Sequence, residues 1–343
     1  MPDLLLETLG TMTQSSRELV KSLLEYKDTE RVPFIPWVCG FAAKVDQIEV
    51  EAMLSDAGAL SRALVNAQKL FGYDAICSVF DTSLEAEACG CEVDWGEGGS
   101  LPKVASHPLS EGASIEALDI ANFDKRGRIP AALEATKRIK AIRGREVAII
   151  GVVTGPLSLA RHLKGDSFIA DLNQGAEESA RLIAATGNIA LKLCRSYCEL
   201  GVDAIAVAEE TLGQISPSRL QAAAGPLKSI WNVARFYNVR SLIVSRGCTS
   251  EHTEPILGLG ADGVALSGDL DYAQLAEAAQ KRKASYARTI RDAALLGEMP
   301  ETVAVADLLS ARGRGLFLST EWETPYATDI NAMHKVMRII RGG

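Results

Sequence analysis

Short apolar or β-branched runs alternate along the chain with longer stretches in which apolar residues recur at helical spacing. This alternation is typical of βα units around a parallel sheet. The runs that predict strands are Val32–Val38, Ala75–Phe80, Val147–Val153, Ala204–Ala208, Ser241–Ser245, Gly263–Leu266 and Gly315–Ser319, with a weaker eighth at Tyr286–Arg291. The stretches that predict helices are about Val50–Phe71, Ile129–Arg143, Glu177–Leu200, Pro217–Phe236, Tyr272–Lys281 and Asp329–Ile340. The pattern predicts one α/β domain over residues 1–343, a (β/α)8 TIM barrel.

Two segments depart from the βα repeat. The N-terminal segment, about residues 1–30, contains a helical pattern from Ser15 to Lys27. Ser16 is expected to cap the start of this helix, and Pro33 is expected to stop it from continuing. Residues of about 91–105 read as two short antiparallel strands around a glycine-rich turn. This hairpin insertion is expected to lie over the mouth of the barrel, the opening at the carboxyl ends of the strands.

The charge and composition exclude several classes of partner. The formal net charge is -8, so nucleic acid and anionic membrane surfaces would be repelled. No apolar run is long enough to span a membrane and no signal peptide is visible, which predicts a cytoplasmic protein. The 7 cysteines are an odd number scattered along the chain, so they are expected to be free thiols.

Candidate catalytic residues follow from the rule that barrel enzymes place their reactive groups at the carboxyl ends of the strands. Glu209 and Glu210 are adjacent, so they should point in opposite directions, and Glu209 is the one expected to face the pocket. The candidates are Asp81, His162, Glu209, Glu210, Arg246 and Glu321.

Structural roles compete with these catalytic ones. Asp81 stands where an aspartate often caps a helix, here the one predicted from Leu84. His162 has leucines nearby and suits a packed core position as well, and Arg246 suits an ion pair with one of the acids. Cys248 and His252, with Glu251 between them, are a weak candidate for a metal site.

Several motifs occur in the order of a known superfamily. Ser16–Val20 before Glu30–Pro33, the Gly155–Leu159 turn, the stretch from Asp81 to Val93 with Pro102 and Val104, Gly201–Ala204, Ile215–Pro217, Leu257–Gly263 and Thr324–Pro325 carry the likeness. Together they resemble the uroporphyrinogen decarboxylase superfamily almost from end to end. The likeness is greatest to its corrinoid-dependent branch, the methylcobamide:coenzyme M type methyltransferases.

The resemblance also shows which residues of each branch are missing. The decarboxylases hold pyrrole nitrogens with an aspartate at the mouth, matched here by Asp81, but the arginine pair of their N-terminal loop is absent from residues 34–43. The thiol-methylating branch binds zinc through histidine and cysteine residues at the ends of the sixth and eighth strands. Here those places read Val244–Gly247 and Leu318–Glu321, so zinc stays open.

The resulting hypothesis is a methyltransferase component that moves a methyl group between a small-molecule donor or acceptor and a separate corrinoid protein. The chain lacks the Asp-x-His-x-x-Gly motif that binds corrinoids, so the corrinoid, as methylcobalamin, would be presented by that partner. The alternatives are a decarboxylase of a tetrapyrrole or smaller acid, supported by Asp81, and a barrel subunit without catalysis. A homodimer is expected only by analogy with the superfamily.

Overall fold

A computed structural model describes residues 14–342 of the chain, apart from residues 98, 111–114, 116–117, 119–121, 301–304, 306–307 and 310–312. Within these residues the fold is α/β, built on a curled parallel sheet with helices in the connections between its strands. None of the helices described is long and apolar enough to cross a bilayer.

The sheet contains seven regular strands in the described residues, and neighbours along the chain pair in parallel. Their buried faces explain the nearly continuous apolar runs in the sequence, because both sides of a parallel sheet are covered. The strands are Ala75–Cys77 (β1), Ala148–Thr154 (β4), Ala204–Glu209 (β5), Arg240–Thr249 (β6), Gly263–Asp269 (β7), Ser285–Ile290 (β8) and Leu316–Thr320 (β9). The weaker prediction at Tyr286–Arg291 is confirmed as β8.

The predicted first strand, Val32–Val38, is not a regular strand, although its backbone bonds to both edges of the sheet. Ile35 N donates to Leu318 O of β9 at 2.9 Å, and Asp74 N, just before β1, donates to Phe34 O at 2.9 Å. Only isolated bridges form, at Phe34 and Trp37. Pro33 and Pro36 explain the interruption, because proline has no N–H to give to a ladder.

The described helices lie before, between and after the strands, and several of them pack against the sheet. They are Ser16–Leu24 (α1), Gly40–Asp46 (α2), Val50–Ser55 (α3), Ala57–Phe71 (α4), Leu84–Ala88 (α5), Ile129–Arg143 (α6), Pro156–Lys164 (α7), Ser167–Gln174 (α8), Glu177–Glu199 (α9), Ala224–Phe236 (α10), Thr253–Leu257 (α11), Tyr272–Arg282 (α12), Asp292–Leu295 (α13) and Ile330–Ile340 (α14). Short 3-10 turns lie at Phe123–Lys125, Leu212–Gln214, Pro217–Ala223 and Ser250–His252.

Local hydrogen bonds correct three predicted helix boundaries. Helix α1 is capped by Ser15, one residue earlier than expected, because Ser15 and Glu18 form a reciprocal capping box. The stretch Val50–Phe71 breaks at Asp56, whose side chain accepts from Ala59 N and starts α4. The stretch Pro217–Phe236 begins as a 3-10 turn and becomes α-helical only at Ala224.

The hairpin predicted at about 91–105 is present. Strands Val93–Asp94 (β2) and Lys103–Val104 (β3) pair antiparallel, with Val93 opposite Val104. The hairpin lies at the carboxyl ends of the parallel strands, because Lys103 and Val104 line the same cavity as Arg246 from β6. The hairpin therefore contributes to a cavity at this end of the sheet.

Candidate functional site

A cavity of about 300 Å³ opens at the carboxyl ends of β4, β5 and β6. The β2–β3 hairpin and helix α7 form its sides. Its lining is mostly polar and includes three cationic side chains, two carboxylates and two imidazoles. The lining residues are Thr82, Ser83, Pro102, Lys103, Val104, His107, Arg161, His162, Asp166, Glu210 and Arg246. We call it the mouth cavity.

A histidine–carboxylate pair lies in the wall of the mouth cavity. His162 Nε2 and Glu210 Oε1 are 2.5 Å apart, and Arg246 NH2 lies 3.2 Å from Glu210 Oε2. Burial opposes ionisation of Glu210, yet the hydrogen bond from His162 and the nearby guanidinium groups lower its pKa overall. A carboxylate can only accept, so Nε2 of His162 carries the shared proton.

The other nitrogen of this histidine and the outer arginine differ in exposure. His162 Nδ1 is buried and has no hydrogen-bond partner in the described residues. Arg246, by contrast, is 52% exposed and lies over the Trp322 ring at 5.1 Å. Arg246 thus forms the expected ion pair with an acid, and it also borders the cavity that a substrate would enter.

The choice of Glu209 as the glutamate facing the pocket is wrong, because Glu210 lines the cavity and Glu209 is fully buried. The carboxylate of Glu209 turns to the start of α7 and accepts from the backbone N–H groups of Leu157 and Ser158. Burial raises its pKa to about 7. As expected, the two adjacent side chains point in different directions.

Asp81 also lies at the mouth, but both of its oxygens are engaged. Arg128 NH1 donates to Oδ2 at 2.5 Å, while the backbone N–H and hydroxyl of Ser83 donate to Oδ1. Arg128 bonds Glu87 as well and stacks on Trp95 of the hairpin, 4.9 Å from the ring centroid. Ser83 rather than Asp81 precedes α5, so Asp81 is not the helix cap weighed above.

Glu321 follows β9 at the same end of the sheet but does not line the mouth cavity. Its carboxylate accepts from Asp292 N at 3.2 Å, and its carbonyl accepts from Ser267. Burial and the charge of Glu321 raise the pKa of Asp292 to about 6. Asp81, Glu209 and Glu321 therefore lie at the same end of the sheet, but none of the three lines the mouth cavity.

The metal site considered at Cys248 and His252 is not formed. His252 uses both ring nitrogens, Nδ1 with Thr249 and Nε2 with the carbonyl of Ile215, while Cys248 is buried beside Ser245. In the part of the chain that is described, His, Cys, Asp and Glu residues form no group of three that could hold a metal ion. All seven cysteines are free and buried, as expected.

The places that carry zinc ligands in the thiol-methylating branch do not fit zinc here. The matching residues are Ser245 and Arg246 within β6, and Ser319 and Thr320 at the end of β9. None of these four side chains offers the imidazole or thiolate donors that zinc sites use.

Sequence reasoning missed several residues of the site. Arg128 lies 47 positions from Asp81, just before α6, and no periodic pattern singles it out. Lys103 and His107 come from the hairpin and the residues just after it. The sequence does not show which elements face the hairpin across the cavity, so these two residues could not be predicted. Arg161 had a usable signal, because it precedes His162 on the helix that the Gly155–Pro156 turn begins.

A further buried acid near the mouth gives a prediction for stability against pH. Glu85 is 1% exposed and accepts from Thr154 N and Oγ1, and burial raises its pKa to about 7. Unfolded glutamate ionises near pH 4.3, so the folded chain holds this proton longer and loses stability as pH rises from about 4 to about 7. The free energy of unfolding in urea is therefore measured for Glu85→Gln and for the unsubstituted chain at pH 5 and at pH 8. The difference between the two proteins should shift in favour of Glu85→Gln at pH 8. An exposed control, Glu51→Gln, should give no such gain, and an equal response would contradict the assignment.

Residues 15–342 match the family model described as uroporphyrinogen decarboxylase (URO-D). The chain belongs to this family. The match covers the hairpin, all seven strands and the rim described above. Membership in the URO-D family confirms the resemblance inferred from the order of the motifs.

Curated relatives of this URO-D chain include members of both branches. It is 27% identical over 200 residues to the methylcobamide:CoM methyltransferase MtbA of Methanosarcina acetivorans, covering 57% of this chain and 58% of the relative. It is 26% identical over 274 residues to MtaA of Methanosarcina barkeri, covering 72% and 77%. A uroporphyrinogen decarboxylase of Anaeromyxobacter sp. is 27% identical over 208 residues, covering 57% and 59%. The chain thus spans less than two thirds of the length of MtbA.

A solved structure supports the fold. A methyltransferase from Methanosarcina mazei superimposes with a TM-score of 0.82 and covers 96% of this chain and 99% of its own, at 18% identity. At that identity the likeness shows the fold alone.

Proposed function

We propose that this chain is the methyltransferase component of a corrinoid-dependent system and exchanges a methyl group between a small molecule and a separate corrinoid protein. The observation that carries the proposal is the His162–Glu210 pair, 2.5 Å apart in the wall of the mouth cavity of a URO-D chain. The sequence similarity of the chain to MtbA and MtaA supports the methyl-transfer branch of the family. The segment 33–38 would complete the proposed single (β/α)8 barrel as an irregular eighth member.

The size and charge of the cavity define the proposed substrate. A volume of about 300 Å³ suits a small molecule, whereas a corrin ring is much broader and would lie across the opening. Lys103, Arg161 and Arg246 outnumber the carboxylates of Asp166 and Glu210 in a chain whose net charge is -8. A locally cationic wall in an acidic protein attracts anions, so the substrate is proposed to be a small carboxylate or sulfonate.

The chain's own residues would hold the substrate and manage one proton. The corrinoid supplies the cobalt that takes up or returns the methyl group. When the bond between methyl and a substrate heteroatom breaks, its electron pair stays on the heteroatom. The His162–Glu210 pair holds the proton that neutralises this atom and takes it back in the reverse direction. Lys103 and Arg246, which are exposed residues of the cavity lining, would lie against the corrinoid or its carrier.

The decarboxylase alternative has less support from the site. In the resemblance, the mouth aspartate accepts from pyrrole nitrogens, but here Arg128 and Ser83 already occupy the oxygens of Asp81. Releasing Asp81 for a substrate would leave the buried Arg128 short of a partner, which is energetically costly.

Cobalt absorbance tests the proposal directly. The chain is mixed either with a reduced corrinoid protein and a methyl donor, methoxyacetate or 3-methylthiopropionate, or with a methylated corrinoid protein and the matching acceptor, glycolate or 3-mercaptopropionate. Each acid is tested beside its uncharged amide. We expect a change in the cobalt spectrum that is faster with the carboxylates than with the amides. No spectral change with any donor or acceptor would contradict methyl transfer, and equal rates for acids and amides would contradict only the anionic substrate.

A further inference from the structure

We infer that Glu209 and Ser158 form a positioning lock that fixes the geometry of the His162–Glu210 pair. Glu209 does not line the mouth cavity, and its carboxylate accepts hydrogen bonds at the start of α7. Leu157 N donates to Oε1 at 3.0 Å, while Ser158 N and Oγ donate to Oε2 at 2.8 and 2.7 Å. The end of β5 is thereby bonded to the first turn of the helix that carries His162.

Ser158 connects this contact to the reactive pair. Its hydroxyl donates to Glu209 and at the same time accepts from Glu210 N at 2.8 Å. His162 lies four residues after Ser158, one turn along α7, so the two side chains share a helix face. The Ser158 hydroxyl thus holds the backbone of Glu210 through a hydrogen bond, and the same helical turn orients His162. Both members of the pair depend on the lock, which deepens the proposed function by assigning Glu209 a positioning role.

Gly155 leaves the space that the lock needs. A Cβ at position 155 would lie 2.1 Å from the carboxyl carbon of Glu209. The φ angle of Gly155 is -68°, a value that any residue adopts, so the glycine is required for space rather than for backbone conformation. Gly155→Ala should therefore displace the Glu209 carboxylate while leaving Glu209, Ser158 and the pair chemically unchanged.

A spectroscopic test reads the pair without any substrate or corrinoid. The ring nitrogen shifts of His162 are recorded by NMR in protein labelled with ¹⁵N-histidine, and His162→Gln assigns them among the 4 histidines. Ser158→Ala and Gly155→Ala should both move the Nε2 signal, because the imidazole loses its fixed contact with Glu210. Glu209→Gln keeps an acceptor oxygen and should preserve most of the original shift.

The matched control is Thr186→Val. Thr186 Oγ1 donates to the carbonyl of Pro156 at 2.8 Å, so this variant also removes a buried hydrogen bond at the start of α7 but has no link to Glu210. Its His162 shifts should equal those of the unsubstituted chain. Unchanged shifts in Ser158→Ala, or the same change in Thr186→Val, would overturn the lock. If Gly155→Ala does not fold, the conservative Ser158→Ala decides.

Kinetics separate the lock from the proposed function. Once a reactive substrate is known, Ser158→Ala should lower kcat by about 10-fold to 100-fold, with KM changed by less than about two-fold, since misplacement affects the reacting atoms more than binding. A shifted His162 signal in a chain that never transfers methyl groups would keep the lock and reject the function. An unshifted signal in an active enzyme would do the reverse.

Discussion

Replacing Glu210 by glutamine should lower the rate of methyl transfer by about 10²-fold to 10⁴-fold, the range that positioned acid–base groups contribute. Glutamine keeps a hydrogen-bond acceptor for His162 Nε2 but removes the negative charge that faces His162 and Arg246. The pair then loses its means of holding and returning a proton at the cavity wall. The rate is measured from cobalt absorbance at saturating substrate, with the folded state checked by urea unfolding.

A surface glutamate provides the control for this change. Glu277→Gln on α12 removes one carboxylate that is 69% exposed and pairs with Lys281 in the same helix. Its rate should stay within about two-fold of the unsubstituted chain, as expected for a solvated ion pair. A Glu210→Gln enzyme that is equally active would remove the His162–Glu210 pair from the mechanism, even if the methyl transfer itself were established.

The course of the chain was largely predictable because a parallel sheet covered on both faces needs apolar strands and amphipathic helices. Even the weakly patterned β8 could be placed, since the repeat required a strand between α12 and β9. The predictions that failed concern places where a few backbone N–H groups or one side chain determine whether a strand or helix continues. Val32–Val38 has the composition of a strand, but two prolines withhold the N–H groups of a ladder, and Asp56 ends one helix and begins another.

The site was harder to predict than the fold. Position at a strand end correctly brought the candidate acids to one rim, but the choice between Glu209 and Glu210 depended on where α7 begins. The helix start draws the Glu209 carboxylate to its free N–H groups, leaving Glu210 for the cavity. Arg128 could not be found at all, because its partners lie more than 40 positions away and only the folded sheet brings them together.

Removing Arg128 should produce the largest loss of stability among these substitutions. The Arg128 side chain is 6% exposed, and its guanidinium group bonds Asp81, Glu87 and Ser83. Breaking a buried ion pair from one side typically costs about 3–5 kcal/mol, because the remaining charge stays buried without compensation. Arg128→Ala should therefore lower the free energy of unfolding in urea by about that amount. Arg128→Lys should lose less, since it keeps the charge but lacks the planar fork.

Two comparisons show whether the loss comes from the stranded carboxylate. Arg138→Ala removes an exposed arginine paired with Glu134 in the same helix and should lower the free energy of unfolding far less than Arg128→Ala. Adding Asp81→Asn to Arg128→Ala should recover part of the lost stability, because the asparagine leaves no buried charge unpaired. A double variant no more stable than Arg128→Ala would instead assign the loss to the Glu87 and Trp95 contacts that hold the hairpin at the mouth.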